Sequence, residues 1–110
     1  MSGFKNEKQL WGWLKKRLYG KWERVEAIVP EGICDVLGGF NGKIVFIELK
    51  VGAPSKKDIR PKQREFIEWA ISVGADVYVV FGSKTGKNMK WFWGADMLQV
   101  KPPLFFVKTR

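Results

Sequence analysis

The sequence predicts an α/β fold, with a mixed sheet that contains one antiparallel hairpin and is flanked by two helices. Apolar residues recur at helical spacing in residues 5–19 and again in residues 61–73. Between and after these segments lie apolar runs typical of strands. A strand, a helix and a strand follow one another in residues 44–81, and this order implies a parallel crossover. The length of 110 residues fits a single domain, 1–110.

The first helix is predicted over residues 5–19, because apolar side chains recur there at helical spacing and Gly20 follows where a helix would end. Glu7 lies three and four residues before Leu10 and Trp11, so we expect its carboxylate on their face, pointing inward or to the edge of the core. An acid in a first turn also stabilises the helix dipole. Glu7 could therefore have a functional role or only stabilise the helix dipole, and both alternatives are open at this point.

The strands are predicted from runs of β-branched and aromatic residues, at 25–29, 33–37, 44–51, 76–81 and 91–93. Asn41 and Gly42 stand between the second and third runs and favour a two-residue hairpin turn, because both residue types tolerate positive φ. A closing apolar run at 104–107 either completes the core or covers a partner subunit, and the sequence leaves both alternatives open.

The hairpin turn brings charged residues together. With Asn41 and Gly42 as the turn, the numbers of paired residues sum to 83, so Asp35 faces Glu48 on one side of the sheet. Lys50 lies two residues after Glu48 and therefore on the same side. The trio could be a solvated salt-bridge cluster, but Glu48 ends an interior-type strand, where unused charges are costly.

The second helix is predicted from Pro61, a residue suited to the first helical position, to Val73, before Gly74. Gln63 lies in its first turn, on the same face as the apolar residues that follow. This position directs the Gln63 amide toward the end of the preceding strand. Capping the helix or bonding a carbonyl is the commoner use of such a glutamine.

The absence of certain residue types limits the chemistry. The chain contains no His and one cysteine, Cys34. This excludes His-dependent triads and zinc sites, and it excludes an intramolecular disulfide. We therefore expect a reducing compartment, and any catalysis must use carboxylates, lysine and a hard metal such as Mg²⁺. Cys34, beside Asp35 in an apolar strand, is expected to pack rather than to react.

The charge of the chain indicates a polyanionic partner. Twenty basic and eleven acidic residues give a net charge of +9, which favours nucleic acid over a membrane surface. The chain carries no apolar run long enough to span a membrane, and we expect no signal peptide, because its opening residues form no apolar segment. The residues expected to bind DNA are Lys56, Lys57, Arg60, Lys62 and Arg64, before and within the second helix, and Lys84 and Lys87, in a later loop with Lys90. Residues 15–17 form a third basic group. At least one of the three groups is expected to be solvated at the surface without binding DNA.

The series Gly32-Ile-Cys-Asp35, Ile47-Glu-Leu-Lys50 and Gln63 resembles the PD-(D/E)XK nuclease superfamily. With Gly74-Ala-Asp-Val-Tyr-Val-Val80 it looks most like the VRR-NUC group. The resemblance implies a restriction-endonuclease-like αβββαβ core over residues 5–81.

The same resemblance implies a site that binds Mg²⁺, with Mn²⁺ able to replace it. Lys50 would align or activate the attacking water, and Gln63 would support the site. Cys34 departs from the family, which often has Pro before the Asp. In this assignment the metal ligands are Glu7, Asp35, Glu48 and the carbonyl of Leu49, and the catalytic residues are Asp35, Glu48, Lys50 and Gln63.

The function expected from this resemblance is metal-dependent hydrolysis of DNA phosphodiesters, selective for branched DNA such as four-way junctions. Symmetric cutting of two strands needs two active sites, so we expect a homodimer in the cytoplasm of a bacterium or of a virus-infected host. Two alternatives are kept: a basic DNA-binding protein with a nuclease-like fold that does not cut, and an RNA-associated protein in which the trio is only a salt bridge.

Overall fold

The computed structural model describes residues 2–25 and 32–108. Two short 3₁₀ turns are present: Lys15–Arg17 follows the first helix, and Lys56–Asp58 precedes the second. The helices and strands, in chain order, are α1 (Glu7–Leu14), β1 (Lys21–Arg24), β2 (Val36–Phe40), β3 (Lys43–Val51), α2 (Pro61–Ser72), β4 (Asp76–Gly82), β5 (Met89–Trp93) and β6 (Leu98–Val100). The predicted α/β fold is confirmed.

The six strands form one mixed sheet in the order β1-β2-β3-β4-β5-β6. The β3–β4 pair is parallel, as the crossover through α2 requires, and the other pairs are antiparallel. The predicted hairpin register is confirmed, since Val36 pairs with Ile47 and Phe40 with Lys43. The turn residues Asn41 (φ 52°) and Gly42 (φ 79°) both adopt the left-handed conformation that a type I′ hairpin needs.

One helix covers each face of the sheet. Buried side chains of α1, including Leu10 and Leu14, pack with Val45 and Ile47 on one face. On the other face, buried residues of α2 pack with those of β4. Because side chains alternate along a strand, Glu48 and Lys50 lie on the α2 face, opposite to α1.

The sheet begins and ends differently from the sequence prediction. Residues 26–29 of the predicted first strand lie outside the described residues, and Val25 is not part of a strand. The first observed strand is instead β1, which starts after Gly20 turns the chain with a φ of 100° and which pairs along β2. The short strand β6 is not predicted from the sequence, because its three residues are too short a run to indicate a strand. It is formed through pairing with β5.

The closing apolar run divides its residues between core and surface. Phe106 is fully buried, and Val107 forms a bridge with Leu18. Leu104 and Phe105 remain 62% and 39% exposed. The run therefore completes the core with its second half and leaves two apolar side chains in solvent.

Across the described parts of the chain, no helix is long and apolar enough to cross a bilayer.

Candidate active site

The predicted acids meet where β2 begins and β3 is near its end. Asp35 directly precedes β2, and its Oδ2 accepts a hydrogen bond from the Leu49 N–H at 2.9 Å. In an extended strand the N–H and the carbonyl of one residue point to the same side. The Leu49 carbonyl therefore points toward the side of β3 on which Asp35 lies.

Glu48 is the buried acid of this site, with 3% of its surface exposed. Its Oε2 accepts a hydrogen bond from Gln63 Nε2 at 2.8 Å and lies 3.4 Å from Lys50 Nζ. Its Oε1 is buried and has no hydrogen-bond partner among the described residues. Burial, followed by the charge of Asp35, raises the pKa of Glu48 to about 7, although Lys50 acts in the opposite direction.

Gln63 links helix α2 to these charged groups. Pro61 begins the helix and places Gln63 in its first turn. Besides donating to Glu48, the amide accepts hydrogen bonds through Oε1 from the Arg60 N–H at 3.1 Å and from Lys50 Nζ at 3.4 Å. Gln63 therefore caps the helix and also holds the side chains of Glu48 and Lys50. The sequence left open whether this amide caps the helix or reaches the end of the preceding strand, and the structure shows both.

The donor set at β3 fits a hard divalent cation. Mg²⁺ is commonly bound through one or two carboxylates and keeps several waters. Asp35 and Glu48 supply the carboxylates, the Leu49 carbonyl faces the same side, and the unpartnered Oε1 of Glu48 is a buried acceptor that a cation would satisfy. In residues 2–25 and 32–108, no three His, Cys, Asp or Glu side chains are gathered to hold a metal ion, so the fit rests on two carboxylates.

Glu7 was predicted to point inward or to the edge of the core, and the inward alternative is wrong, because this side chain is exposed. The helical face is set by Leu10, Trp11 and Leu14, which are buried, while the first turn keeps its carboxylate hydrated and avoids a desolvation cost. The first turn still lies at the site end of the sheet, because Leu10 packs closely against Gly82 at the end of β4. The structure thus brings Glu7 to the same end without joining it to Asp35 and Glu48.

The predicted DNA-binding residues differ in how they are used. Lys56, Lys57 and Lys84 are exposed, as are Arg60 and Lys62. Arg64 instead donates from Nη1 to the Ala95 carbonyl at 3.3 Å, and Lys87 donates from Nζ to the Gly3 carbonyl at 3.0 Å. The hydrogen bonds of these two residues hold the chain itself together.

One further basic residue on the site face belongs to a strand. The sequence places Lys90 in the loop with Lys84, but it lies in β5 and pairs with Phe81 of β4, which in turn pairs with Lys50. The three side chains therefore form a row across the α2 face. The sequence did predict a strand here, from Trp91-Phe92-Trp93, but the observed strand starts two residues earlier and so includes Lys90.

Cys34 is a packing residue, as predicted. It is 1% exposed in the core under α2. Burial, with the nearby charges of Glu48 and Asp35, raises the pKa of its thiol far above the ordinary range, so it is not a nucleophile.

Comparison with known proteins shows the fold. The chain is similar in structure to a solved Holliday junction resolvase, Hjc of the archaeal hyperthermophile Archaeoglobus fulgidus. The TM-score is 0.57 at 21% sequence identity, and the match covers 94% of this chain and 85% of that one. No family model matches the chain, and neither does any curated protein.

Proposed function

We propose that this protein is a metal-dependent endonuclease of the PD-(D/E)XK superfamily that acts on branched DNA such as four-way junctions. The observation that carries the proposal is the buried Glu48, whose Oε1 lacks a partner among the described residues, between Asp35 and Lys50. The large majority of buried side-chain oxygens in proteins have a hydrogen-bond partner, and a bound cation would supply one here. The assignment to the VRR-NUC group and the single domain over residues 1–110 are parts of the same proposal.

Each residue of the site has a separate role. Asp35, Glu48 and the Leu49 carbonyl would hold Mg²⁺ or Mn²⁺, which when bound supplies Lewis-acid chemistry for phosphodiester hydrolysis. Lys50 offers a positive charge that orients the attacking water and stabilises negative charge developing on the phosphate. Gln63 positions Glu48 and Lys50 relative to each other.

The substrate class follows from charge and fold. The net charge of +9 favours a nucleic acid, and the solved neighbour is a Holliday junction resolvase. Because a four-way junction has two symmetric cutting positions, we propose a homodimer with one site per subunit. The single buried Cys34 fits a reducing compartment, for which we propose a bacterial or host cytoplasm.

Cleavage assays on labelled four-way junction, flap and plain duplex DNA test this function, each with Mg²⁺, with Mn²⁺ and with EDTA. We expect metal-dependent cutting of the junction, loss of cutting in Lys50→Ala, and full activity in Lys43→Ala. Lys43 is a matched control at the other end of β3, where it pairs with Asp76 at 3.3 Å. Cutting of flaps or duplex alone would overturn the junction specificity.

Binding of DNA with no cutting in either metal would favour the non-catalytic alternative. A preference for RNA without metal binding would favour the RNA-associated one.

A further inference from the structure

A cleft of about 400 Å³ lies beside the proposed active site, past the ends of β3 and β4. Its lining includes Gly52 after β3, Phe81 in β4, Lys84 in the following loop and Lys90 in β5. We call it the loop cleft. Phe81 lies in the row between Lys50 and Lys90, so the cleft adjoins Lys50 on the same face of the sheet.

The loop that forms one wall is held by hydrogen bonds before any ligand arrives. Ser83 N–H donates to the Asn88 carbonyl at 3.0 Å, and Gly3 N–H donates to the Lys84 carbonyl at 3.1 Å. The Lys87 ammonium, in the same loop, donates a hydrogen bond to the Gly3 carbonyl and so ties the loop to the N-terminal segment. The loop backbone is therefore preorganised, and a preorganised site loses less entropy on binding.

The loop cleft presents two exposed ammonium groups. Lys84 and Lys90 are both exposed, and neither has an ion-pair partner within the described residues. The Lys84 chain extends over Gly52, where its Cε would lie 3.7 Å from a Cβ at that position. Two cationic residues therefore line one preorganised cleft, and phosphate oxygens are groups that such residues bind.

We propose that the loop cleft binds the phosphodiester backbone of the substrate strand one or two nucleotides from the phosphate that is cut. Adjacent strands lie about 4.8 Å apart, so Lys90 stands two strands, about 10 Å, from Lys50. One strand of B-form DNA advances about 3.4 Å per nucleotide along the helix axis, and its phosphates are farther apart than this rise because the backbone also winds around the axis. The span of about 10 Å therefore corresponds to roughly one or two nucleotides. This inference rests on the proposed function, because that function defines which phosphate is cut.

The first test is the salt dependence of junction binding, measured by fluorescence anisotropy in EDTA so that no cutting occurs. Each phosphate contact contributes about 0.9 to the slope of log K against log salt on duplex DNA. We expect the Lys84→Ala/Lys90→Ala variant to lose about 1.8 from that slope. The matched control is Lys21→Ala/Lys43→Ala, which removes the same charge at the opposite end of the sheet and should lose less than half as much.

The second test locates the contact. Neutral methylphosphonates are placed one at a time along the junction strand, and cutting by the wild type defines position zero. In the wild type we expect a several-fold loss of affinity when the phosphate about one or two nucleotides from the cut is neutralised. In Lys84→Ala/Lys90→Ala this position should have no further effect, while Lys84→Arg/Lys90→Arg should retain the wild-type response. Thermal melts show that each variant is folded.

The outcomes separate this inference from the proposed function. An unchanged slope in the loop-cleft variant, or an equal loss in the control, would overturn the inference while metal-dependent cutting by the wild type still stood. A lower slope with no cutting in any metal would support the cleft as a phosphate site and overturn the nuclease. Methylphosphonate effects that add to the lysine substitutions at every position would also overturn the inference.

Discussion

The Gln63 Nε2 atom donates a 2.8 Å hydrogen bond to Glu48 Oε2 and so joins the first turn of α2 to the end of β3. The same amide accepts from Lys50 through its oxygen. The uncharged Gln63 side chain thus orients both the Glu48 carboxylate and the Lys50 ammonium. Helix α2 positions the site through this amide as well as through its packing on the sheet.

Replacing Gln63 with Leu should reduce metal affinity and junction cutting by about 10- to 100-fold, the usual effect of removing a group that orients a metal ligand. Isothermal titration with Mn²⁺ and single-turnover cleavage measure the two quantities. Gln99→Leu, at an exposed position on β6, is the matched control and should leave both unchanged. Wild-type metal affinity in Gln63→Leu would show that the amide is only a helix cap.

Replacing Lys50 with Ala should lower the cutting rate by about 10²- to 10⁴-fold, the range of a positioned proton-transfer or charge-stabilising group. Metal binding should survive, because Asp35 and Glu48 remain. Its pH midpoint should move upward, because the positive charge of Lys50 lowers the Glu48 pKa. Manganese titrations at several pH values check this, and a complete loss of metal binding would mean that Lys50 chiefly maintains the fold of the site.

The raised pKa of Glu48 predicts a pH-dependent stability in the absence of metal. Its pKa rises from 4.5 to about 7 on folding, so the folded chain binds more protons than the unfolded chain between these values. The free energy of unfolding should therefore fall by a few kcal/mol as pH rises through this window, and then level off. Urea unfolding in EDTA measures the effect. Glu48→Gln should remove this part of the slope, and an equal slope in that variant would contradict the assignment.

Much of the site was predictable because it depends on short-range rules. The Asn41-Gly42 turn sets the hairpin register from Phe40–Lys43 to Val36–Ile47, which brings Asp35 beside the end of β3, where it accepts a hydrogen bond from the Leu49 N–H. The alternation of side chains along β3 places Lys50 on the same face as Glu48. The exposure of Glu7 was not predictable, because helical spacing defines a face but not where the first turn lies relative to the sheet. The internal bonds of Arg64 and Lys87 depend on partners 31 and 84 residues away, which no local pattern reveals.

The exposed pair Leu104 and Phe105 predicts a contact between two copies of the chain. Apolar side chains that remain 62% and 39% exposed beside a completed core are candidates for an interface. Light scattering should show a homodimer for the wild type and a shift toward monomer for Leu104→Ser/Phe105→Ser. The matched control, Val73→Ser, alters an equally exposed apolar residue at the end of α2 and should remain dimeric. A fully active wild-type monomer would contradict the dimer.

Two glycines of the same N-terminal region should respond in opposite directions to alanine. A Cβ at Gly3 would clash with the Ser83 carbonyl oxygen and lie 2.5 Å from the Lys84 carbonyl carbon. Both are backbone atoms, so side-chain motion cannot relieve the clash. Gly3→Ala should therefore displace the loop that carries Lys84 and lower the melting temperature.

A Cβ at Gly12, in α1, meets nothing within 4 Å, so Gly12→Ala should stabilise the protein by about 0.5–1 kcal/mol through helix propensity. Thermal melts check both variants, and a Gly3→Ala protein with wild-type stability and wild-type DNA affinity would show that the loop is not held by its contact with the N-terminal segment.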